Sequence, residues 1–287
     1  MTVDMAIEAW KSVLELAGPG AHIHLTGGEP FLVFDRLAEI LSEAHTSGLP
    51  ALNSLETNGS WANSEQEVRE KLSFLKSVDL QELKISYDPF HAEFIDVQTI
   101  RYLKAKACEI LGADKVKVKW EKYLENPIAF SDYLPTDRQD LCQTVLREDR
   151  CRFTGRAAEQ IGTLLGDREA GQFGSRNCRN AILGAKGVHI DPYGHVFNGQ
   201  CSGIIVGNLN QASLDSLWRQ FDPSEIDFWK ILFHNGPAGF YEEAVKLGYP
   251  PDKRYASKCH LCSDIRRFFF DKRMHLTIIG PTDCYGR

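Results

Sequence analysis

Residues 22–32 place the tightest constraint on how this chain folds, because a short alternating run there ends at Gly-Gly-Glu-Pro, residues 27–30. Ile23 and Leu25 recur at the two-residue period of a strand, which predicts a buried β-strand. Adjacent glycines let the backbone adopt dihedral angles closed to other residues and approach a ligand closely. The proline favours extended backbone at the preceding glutamate. The run predicts a strand followed by a loop, and this loop alone is compatible with either a plain turn or a ligand site.

Strand and helix patterns alternate through the first half of the chain. Helical periodicity covers residues 3–17, 35–45, 64–78 and 100–111. Short apolar runs predict strands near 22–25, 51–56, 83–87 and 115–120. Strands joined by helices pair in parallel through right-handed crossovers. We therefore expect an α/β fold with four parallel strands.

The composition excludes several classes of protein. The chain has 287 residues, 43% of them hydrophobic, and a net charge of -6, so a folded core is expected. Lysine and arginine are scattered, which argues against binding to nucleic acid or to an anionic membrane. The N-terminus lacks the basic and apolar regions of a signal peptide, and no segment approaches the roughly 18 uncharged apolar residues of a membrane span. We expect a cytoplasmic protein, in which the eight cysteines are core thiols or metal ligands rather than disulfides.

A segment rich in glycine and charge, residues 166–175, divides the chain. We place the boundary there, with one domain over 1–168 and a second over 169–287. Ahead of the boundary, residues 138–148 fit a helix and 151–153 a short strand. Beyond it, the pattern predicts a hairpin at 188–197 and helices at 213–221, 224–233, 238–247 and 259–273. The second domain is expected to be a small, cysteine-rich α+β extension.

Four cysteines of the second domain have the spacing of a metal site: Cys178, Cys201, Cys259 and Cys262. A C-x-x-C pair presents two thiolates to one ion or cluster, and the two cysteines that bracket the hairpin complete four sulfur ligands. An iron–sulfur cluster and a structural zinc ion both fit this set. The other cysteines are an alternative ligand (Cys284), two without an assigned role (Cys142, Cys151) and an expected core thiol (Cys108).

Three motifs end the predicted strands in order: Gly27-Gly28-Glu29-Pro30, Glu56-Thr57-Asn58-Gly59 and Lys84-Ile85-Ser86-Tyr87-Asp88. Each is weak alone, but together, at the spacing of βα units, they resemble the radical S-adenosylmethionine (SAM) enzymes. The resemblance covers most of the first domain. It implies an incomplete (β/α)6-type barrel that lacks its first strand.

The resemblance also implies a SAM-binding set. Its members are Gly27, Gly28, Glu29 and Pro30 for the methionyl amino group, Asn58 near that group, Ser86 and Asp88 for the carboxylate or ribose, and Arg156 in a Gly-Arg-Ala tripeptide common in the family. For Arg156, an ordinary surface arginine is the alternative interpretation.

The cysteine pattern of the second domain, with its hairpin and Gly207-Asn208, looks like the SPASM or twitch extension of the same family. That extension binds auxiliary 4Fe-4S clusters. This chain has too few cysteines for two clusters, so the resemblance implies one auxiliary cluster on the four cysteines named above.

Radical SAM enzymes bind their catalytic 4Fe-4S cluster on a C-x-x-x-C-x-x-C loop, and this sequence contains no such triplet. The resemblance implies reductive cleavage of SAM to a 5'-deoxyadenosyl radical that modifies a peptide, a protein or a small-molecule substrate, with a flavodoxin or ferredoxin as electron donor. We expect the chain as it stands not to be competent in that reaction, and a catalytic cluster to require a longer N-terminus. The alternative is a non-catalytic Fe-S or zinc-binding module on the same scaffold.

Three histidines near the motifs are expected to be structural. His91 fits a partly buried position in a turn, whereas His22 and His24 are expected to face a barrel interior or a helix layer rather than a metal. The run Phe268-Phe269-Phe270 is expected to pack in a core.

Overall fold

A computed structural model describes residues 1–148, 153, 155, 157–185, 187–199 and 201–285. The chain forms two compact units, one of Thr2–Leu141 and the other mainly of Cys142–Arg287, here called the N-terminal and C-terminal units. Each is described by itself.

The N-terminal unit contains a four-stranded sheet. Its strands are β1 (His24–Leu25), β2 (Ser54–Thr57), β3 (Leu83–Ser86) and β4 (Val116–Lys119), adjacent in that order. All three pairings are parallel, which confirms the predicted strand order and direction. The fold class is therefore α/β with a parallel sheet.

Helices alternate with the strands, and the periodicity predicted all of them except one helix of four residues. They are α1 (Val3–Ala17), α2 (Phe34–Thr46), α3 (Glu65–Ser77), α4 (Val97–Leu111), the short α5 (Lys122–Glu125) and α6 (Pro135–Glu148). Thr2, Ser64 and Asp96 precede three of these helices, and each side chain accepts a hydrogen bond from a backbone N–H of the first turn. These caps fix where the helices begin.

One face of the sheet forms the core of the N-terminal unit. Leu55, Leu83 and Ile85 are completely buried. Leu72 of α3 and Leu103 of α4 are also completely buried, and these two helices pack on each other. Apolar positions at the strand period and at the helix period therefore meet in one layer.

The C-terminal unit is built from short elements. Its strands are β5 (Arg168–Glu169), β6 (Val188–Ile190), β7 (His195–Asn198), β8 (Ile205–Asn208) and β9 (Arg254–Tyr255), and its helices are α7 (Arg179–Leu183), α8 (Leu214–Gln220), α9 (Asp227–Asn235), α10 (Tyr241–Lys246) and α11 (Lys258–Asp271). Strands β6, β7 and β8 form an antiparallel sheet, and β5 pairs with β9. The predicted hairpin and the four predicted helices are confirmed.

Aromatic residues dominate the core of the C-terminal unit. Trp229, Phe240 and Phe269 are buried together with Leu261 and Ile265 of α11. Phe268 and Phe270 pack partly buried against the same core. The prediction that this phenylalanine run packs in a core is confirmed.

The two units divide between Leu141 and Cys142, earlier than the boundary at 168/169 that composition suggested. The segment before residue 168 packs with the C-terminal unit. A Cβ at Gly166 would lie 2.6 Å from the Arg254 carbonyl oxygen, so only glycine permits this close approach. The strand predicted over 151–153 includes residues outside the described ranges. Among the described residues, no helix has the length and apolar character needed to cross a membrane.

We predict that Leu55→Ala destabilises the protein by about 2–5 kcal/mol, because truncating a fully buried leucine leaves a cavity at the centre of the sheet. Urea unfolding measures the change. Leu32→Ala is the matched control, since Leu32 is 73% exposed and its truncation should change the free energy of unfolding by less than about 0.5 kcal/mol. Equal effects of the two substitutions would contradict the placement of β2 in the core.

Candidate functional site

Glu29 organises the loop after β1. Its carboxylate accepts hydrogen bonds from the Thr57 hydroxyl (2.8 Å) and from the backbone N–H groups of Asn58 (2.6 Å) and Phe31 (3.1 Å). The side chain is buried, so these three donors satisfy a charge that would otherwise be costly. Glu29 therefore ties the end of β1 to the end of β2, and its carboxylate is already engaged within the fold.

The two glycines before Glu29 have backbone conformations that favour glycine. Gly27 has φ +92° and Gly28 has φ +55°, and a Cβ at either position would meet no atom within 4 Å. The loop backbone is consequently open on that side. Pro30 follows as the first residue of a short 3-10 turn, Pro30–Val33.

The other residues assigned to SAM lie at the same edge of the sheet and also bond within the chain. Asn58 accepts from the Ser60 N–H, and Ser86 donates to Glu56 at 2.6 Å. Asp88 accepts from two backbone N–H groups and pairs with the His91 ring at 2.8 Å, which is a turn with a partly buried histidine as expected. The structure thus brings the predicted strand-end residues to one edge. Arg156 lies outside the described residues.

Sequence reasoning missed a second feature of this sheet. Opposite the apolar layer, the strands carry a continuous polar sheet face of His22, His24, Ser54, Glu56, Glu82, Lys84, Ser86, Lys117 and Lys119. Parallel sheets usually bury apolar residues on both faces. The two-residue alternation of charged residues in β3 and β4 was the available signal.

Glu56 lies at the centre of the polar sheet face. It pairs with Lys119 at 2.6 Å and with the His24 ring at 3.4 Å, and it accepts from Ser86. Burial by itself raises the pKa of Glu56, but the hydrogen bonds from His24, Lys119 and Ser86 outweigh it and hold the pKa at about 2. Glu56 is therefore a fixed negative charge at neutral pH.

The cysteines predicted to bind metal lie in three separate segments of the C-terminal unit. Cys178 precedes α7, and its N–H donates to the Leu232 carbonyl. Cys201 follows β7 in the turn toward β8, while Cys259 and Cys262 occupy the first turns of α11. Lys258 donates to the Asn177 carbonyl at 2.6 Å, which ties the start of α11 to the segment of Cys178.

The thiols of these segments interact electrostatically. Burial raises the pKa of Cys178 to about 11, and the neighbouring Cys262 and Cys259 add to the shift. Burial likewise raises the pKa of Cys201 to about 12, with further contributions from Cys262, Cys178 and Cys259. Cys178, Cys201 and Cys262 also pack against the same aromatic core. Within the described ranges, however, no group of three or more His, Cys, Asp or Glu side chains is arranged to hold a metal ion.

The remaining described cysteines are separate from this set or at its border. Cys108 is partly buried, and Cys142 is buried. Cys284 is half-buried, and its pKa is raised by burial and lowered by the nearby Arg266. Arg266 also interacts with Cys201 and Cys262 and lies at the border of this region. The C-x-x-C spacing gave no indication that Arg266 lies near these cysteines.

No protein-family model matches the chain, and a search of curated proteins found no match. Membership of a family is therefore proposed from the residues and their geometry.

We predict that Glu56 makes stability depend on pH in acid. Its folded pKa is below its ordinary value, so its contribution is fully present above about pH 4.5 and is lost as the pH falls toward about 2. The loss should be on the order of 2–3 kcal/mol, since one pKa unit corresponds to about 1.4 kcal/mol. Urea unfolding between pH 2 and pH 6 measures it. Glu56→Gln should flatten this part of the profile, whereas Glu39→Gln, at an exposed helix position, should not; an unchanged profile in Glu56→Gln would contradict the assignment.

Proposed function

We propose that the C-terminal unit holds a metal centre on Cys178, Cys201, Cys259 and Cys262. We further propose that the chain is a protein of the radical SAM type in which this centre is the auxiliary 4Fe-4S cluster. The observation that carries the proposal is that Cys178, Cys201 and Cys262 pack against one aromatic core, while a hydrogen bond from Lys258 to the Asn177 carbonyl ties the segment of Cys259 to that of Cys178.

The chemistry of the site suits thiolate coordination. Cys178, Cys201 and Cys262 pack against the aromatic core, which shields them from solvent. Cys259 and Cys262 sit at the N-terminal end of α11, where free backbone N–H groups favour negative charge. Lys258 and Arg266 add positive charge beside the thiols. When bound, a 4Fe-4S cluster would supply one-electron chemistry, and the four cysteines would hold it.

For the N-terminal unit we propose SAM binding at the carboxyl edge of the sheet. Ligands of parallel α/β sheets bind at this edge, where the open Gly27-Gly28 backbone lies. Glu29 would act by fixing that loop, since its carboxylate is already engaged. Cleavage of SAM needs a low-potential cluster, and these 287 residues contain no C-x-x-x-C-x-x-C triplet to hold one. The proposed activity of this chain is accordingly SAM binding without cleavage, in a cytosolic protein.

The metal centre predicts about four irons per chain, with a broad thiolate-to-iron absorption, after anaerobic reconstitution with iron and sulfide. Cys259→Ala should lose most of this iron because it removes one of four ligands. Iron and sulfide analysis with absorption spectra measures the effect. Cys108→Ala is the matched control and should retain the cluster, since Cys108 belongs to the N-terminal unit.

Two results would contradict the cluster. A colourless protein that binds about one zinc ion would assign the site to a structural role. Undiminished iron in a variant lacking all four cysteines would show that the ligands lie elsewhere.

SAM binding is tested by titration calorimetry on the whole chain. Gly27→Ala should weaken binding by about tenfold, corresponding to about 1.4 kcal/mol, because a methyl group would enter the open side of the loop. Gly48→Ala is the matched control: Gly48 also has a positive φ with no neighbour near its Cβ, so the backbone strain is similar but lies outside the site. Equal losses of SAM affinity in the two variants would show that the effect comes from backbone strain.

A non-catalytic metal-binding module is the second candidate. It is favoured by the internal hydrogen bonds of Glu29, Ser86 and Asp88, which occupy groups that the SAM assignment would need. Metal binding without any heat from SAM at millimolar concentration would support it.

A further inference from the structure

Arg266 is a buried cation at the border of the four-cysteine site. Its side chain lies on α11, one turn after Cys262, and the residue is 4% exposed. The guanidinium donates to the Ser202 carbonyl at 3.0 Å, to the Cys262 carbonyl at 3.3 Å and to the Tyr285 hydroxyl. It therefore joins three segments, each of which carries a cysteine at or next to the contact.

The chain closes tightly around this guanidinium. Tyr285 donates to the Gly203 carbonyl, and Gly203 has φ +85°. A Cβ at Gly203 would lie 2.6 Å from the Tyr285 hydroxyl and 2.8 Å from a guanidinium nitrogen of Arg266. The turn after Cys201 thus accommodates the buried arginine only because glycine stands there.

No carboxylate among the described residues forms an ion pair with Arg266. Three acids line the same cavity but have other partners: Glu159 pairs with Arg267, Asp264 pairs with Lys253 at 2.8 Å, and Asp283 accepts from Tyr193 at 2.8 Å. The groups that interact electrostatically with Arg266 are instead the Tyr285 hydroxyl, to which it donates, and the nearby thiols of Cys262 and Cys201. A buried charge without a counterion is costly.

We propose that Arg266 is a positioning residue of the metal centre and that it neutralises the negative charge of the metal-bound thiolates. The inference rests on the proposed four-cysteine site. Four thiolates around one divalent ion carry a net charge of about −2, and the thiolates are the acidic groups that Arg266 faces. The same guanidinium fixes the backbone at Ser202 and Cys262, and so holds two ligand segments in register.

The charge of Arg266 and its structural role can be tested separately with zinc as the probe metal. The site offers the same four thiolates to zinc as to an iron–sulfur cluster. Zinc affinity is measured by competition with a chromophoric chelator, and stability by urea unfolding of the metal-free and zinc-loaded chain. The variants are Arg266→Met, which removes the charge, and Arg266→Lys, which keeps it. Arg267→Met is the matched control, because Arg267 is the next residue of α11 and pairs with Glu159.

Arg266→Met should weaken zinc binding by about 10- to 100-fold, as the loss of a supporting group around a metal commonly does. Arg266→Lys should retain most of the affinity, and Arg267→Met all of it. Without metal, Arg266→Met should be at least as stable to urea as Arg266→Lys. With zinc bound, Arg266→Met should be the less stable of the two. In the reconstituted 4Fe-4S form, Arg266→Met should lower the reduction potential, because the added electron loses a neighbouring positive charge.

A purely structural role would destabilise the Met and Lys variants in the same order with and without zinc, and that result would overturn the inference. Should Arg266→Met fail to fold, Tyr285→Phe replaces it: losing the hydroxyl that accepts from Arg266 should weaken zinc binding, and unchanged affinity would count against the inference. Equal zinc affinity of the wild type and Arg266→Met would overturn the inference about Arg266 and leave the proposed metal centre intact. Absence of metal binding by the wild-type chain would overturn the proposed centre and the inference together.

Discussion

The N-terminal unit depends on a two-residue alternation that runs through all four parallel strands. Leu55, Leu83 and Ile85 point into the helix layer, and the residues between them point the other way. Because parallel pairing keeps neighbouring strands in register, the apolar positions form one continuous layer and the polar positions another. The helices, the core and the polar sheet face all follow from this single constraint.

The polar sheet face makes Glu56 a shared partner of three strands. Lysine, histidine and serine from β4, β1 and β3 converge on its carboxylate. At the carboxyl edge, Glu29 plays a comparable part for the loops after β1 and β2. Two buried or half-buried carboxylates therefore organise the strand ends, and the open backbone of Gly27 and Gly28 lies beside them.

The C-terminal unit is held together by different interactions. Its elements are short, so the aromatic core around Trp229 and Phe269 and the hydrogen bonds of Arg266 hold together segments far apart in sequence. The four cysteines of the proposed metal centre lie on these segments. A metal bound there would add to the same cross-linking, since structural metals contribute directly to folding.

Most helices and strands could be predicted because they arise from local periodicity, and caps such as Ser64 confirm the predicted helix starts. The division between the units could not be predicted, since it depends on contacts between residues far apart in sequence, such as Gly166 and Arg254. The resemblance to radical SAM enzymes also assigned Glu29, Ser86 and Asp88 to a ligand, whereas the folded chain supplies each with an internal partner. A motif fixes which groups are present, and their partners depend on the remaining residues.

By itself, the sequence determined the parallel α/β arrangement and the hairpin and helices of the C-terminal unit, because residue spacing encodes these features. Only the tertiary structure decided that Glu56 is held ionised by three strands and that Arg266 is buried against the thiols without a carboxylate partner among the described residues. Both involve side chains brought together from distant positions. Such contacts arise from packing of the whole unit, so no local pattern specifies them.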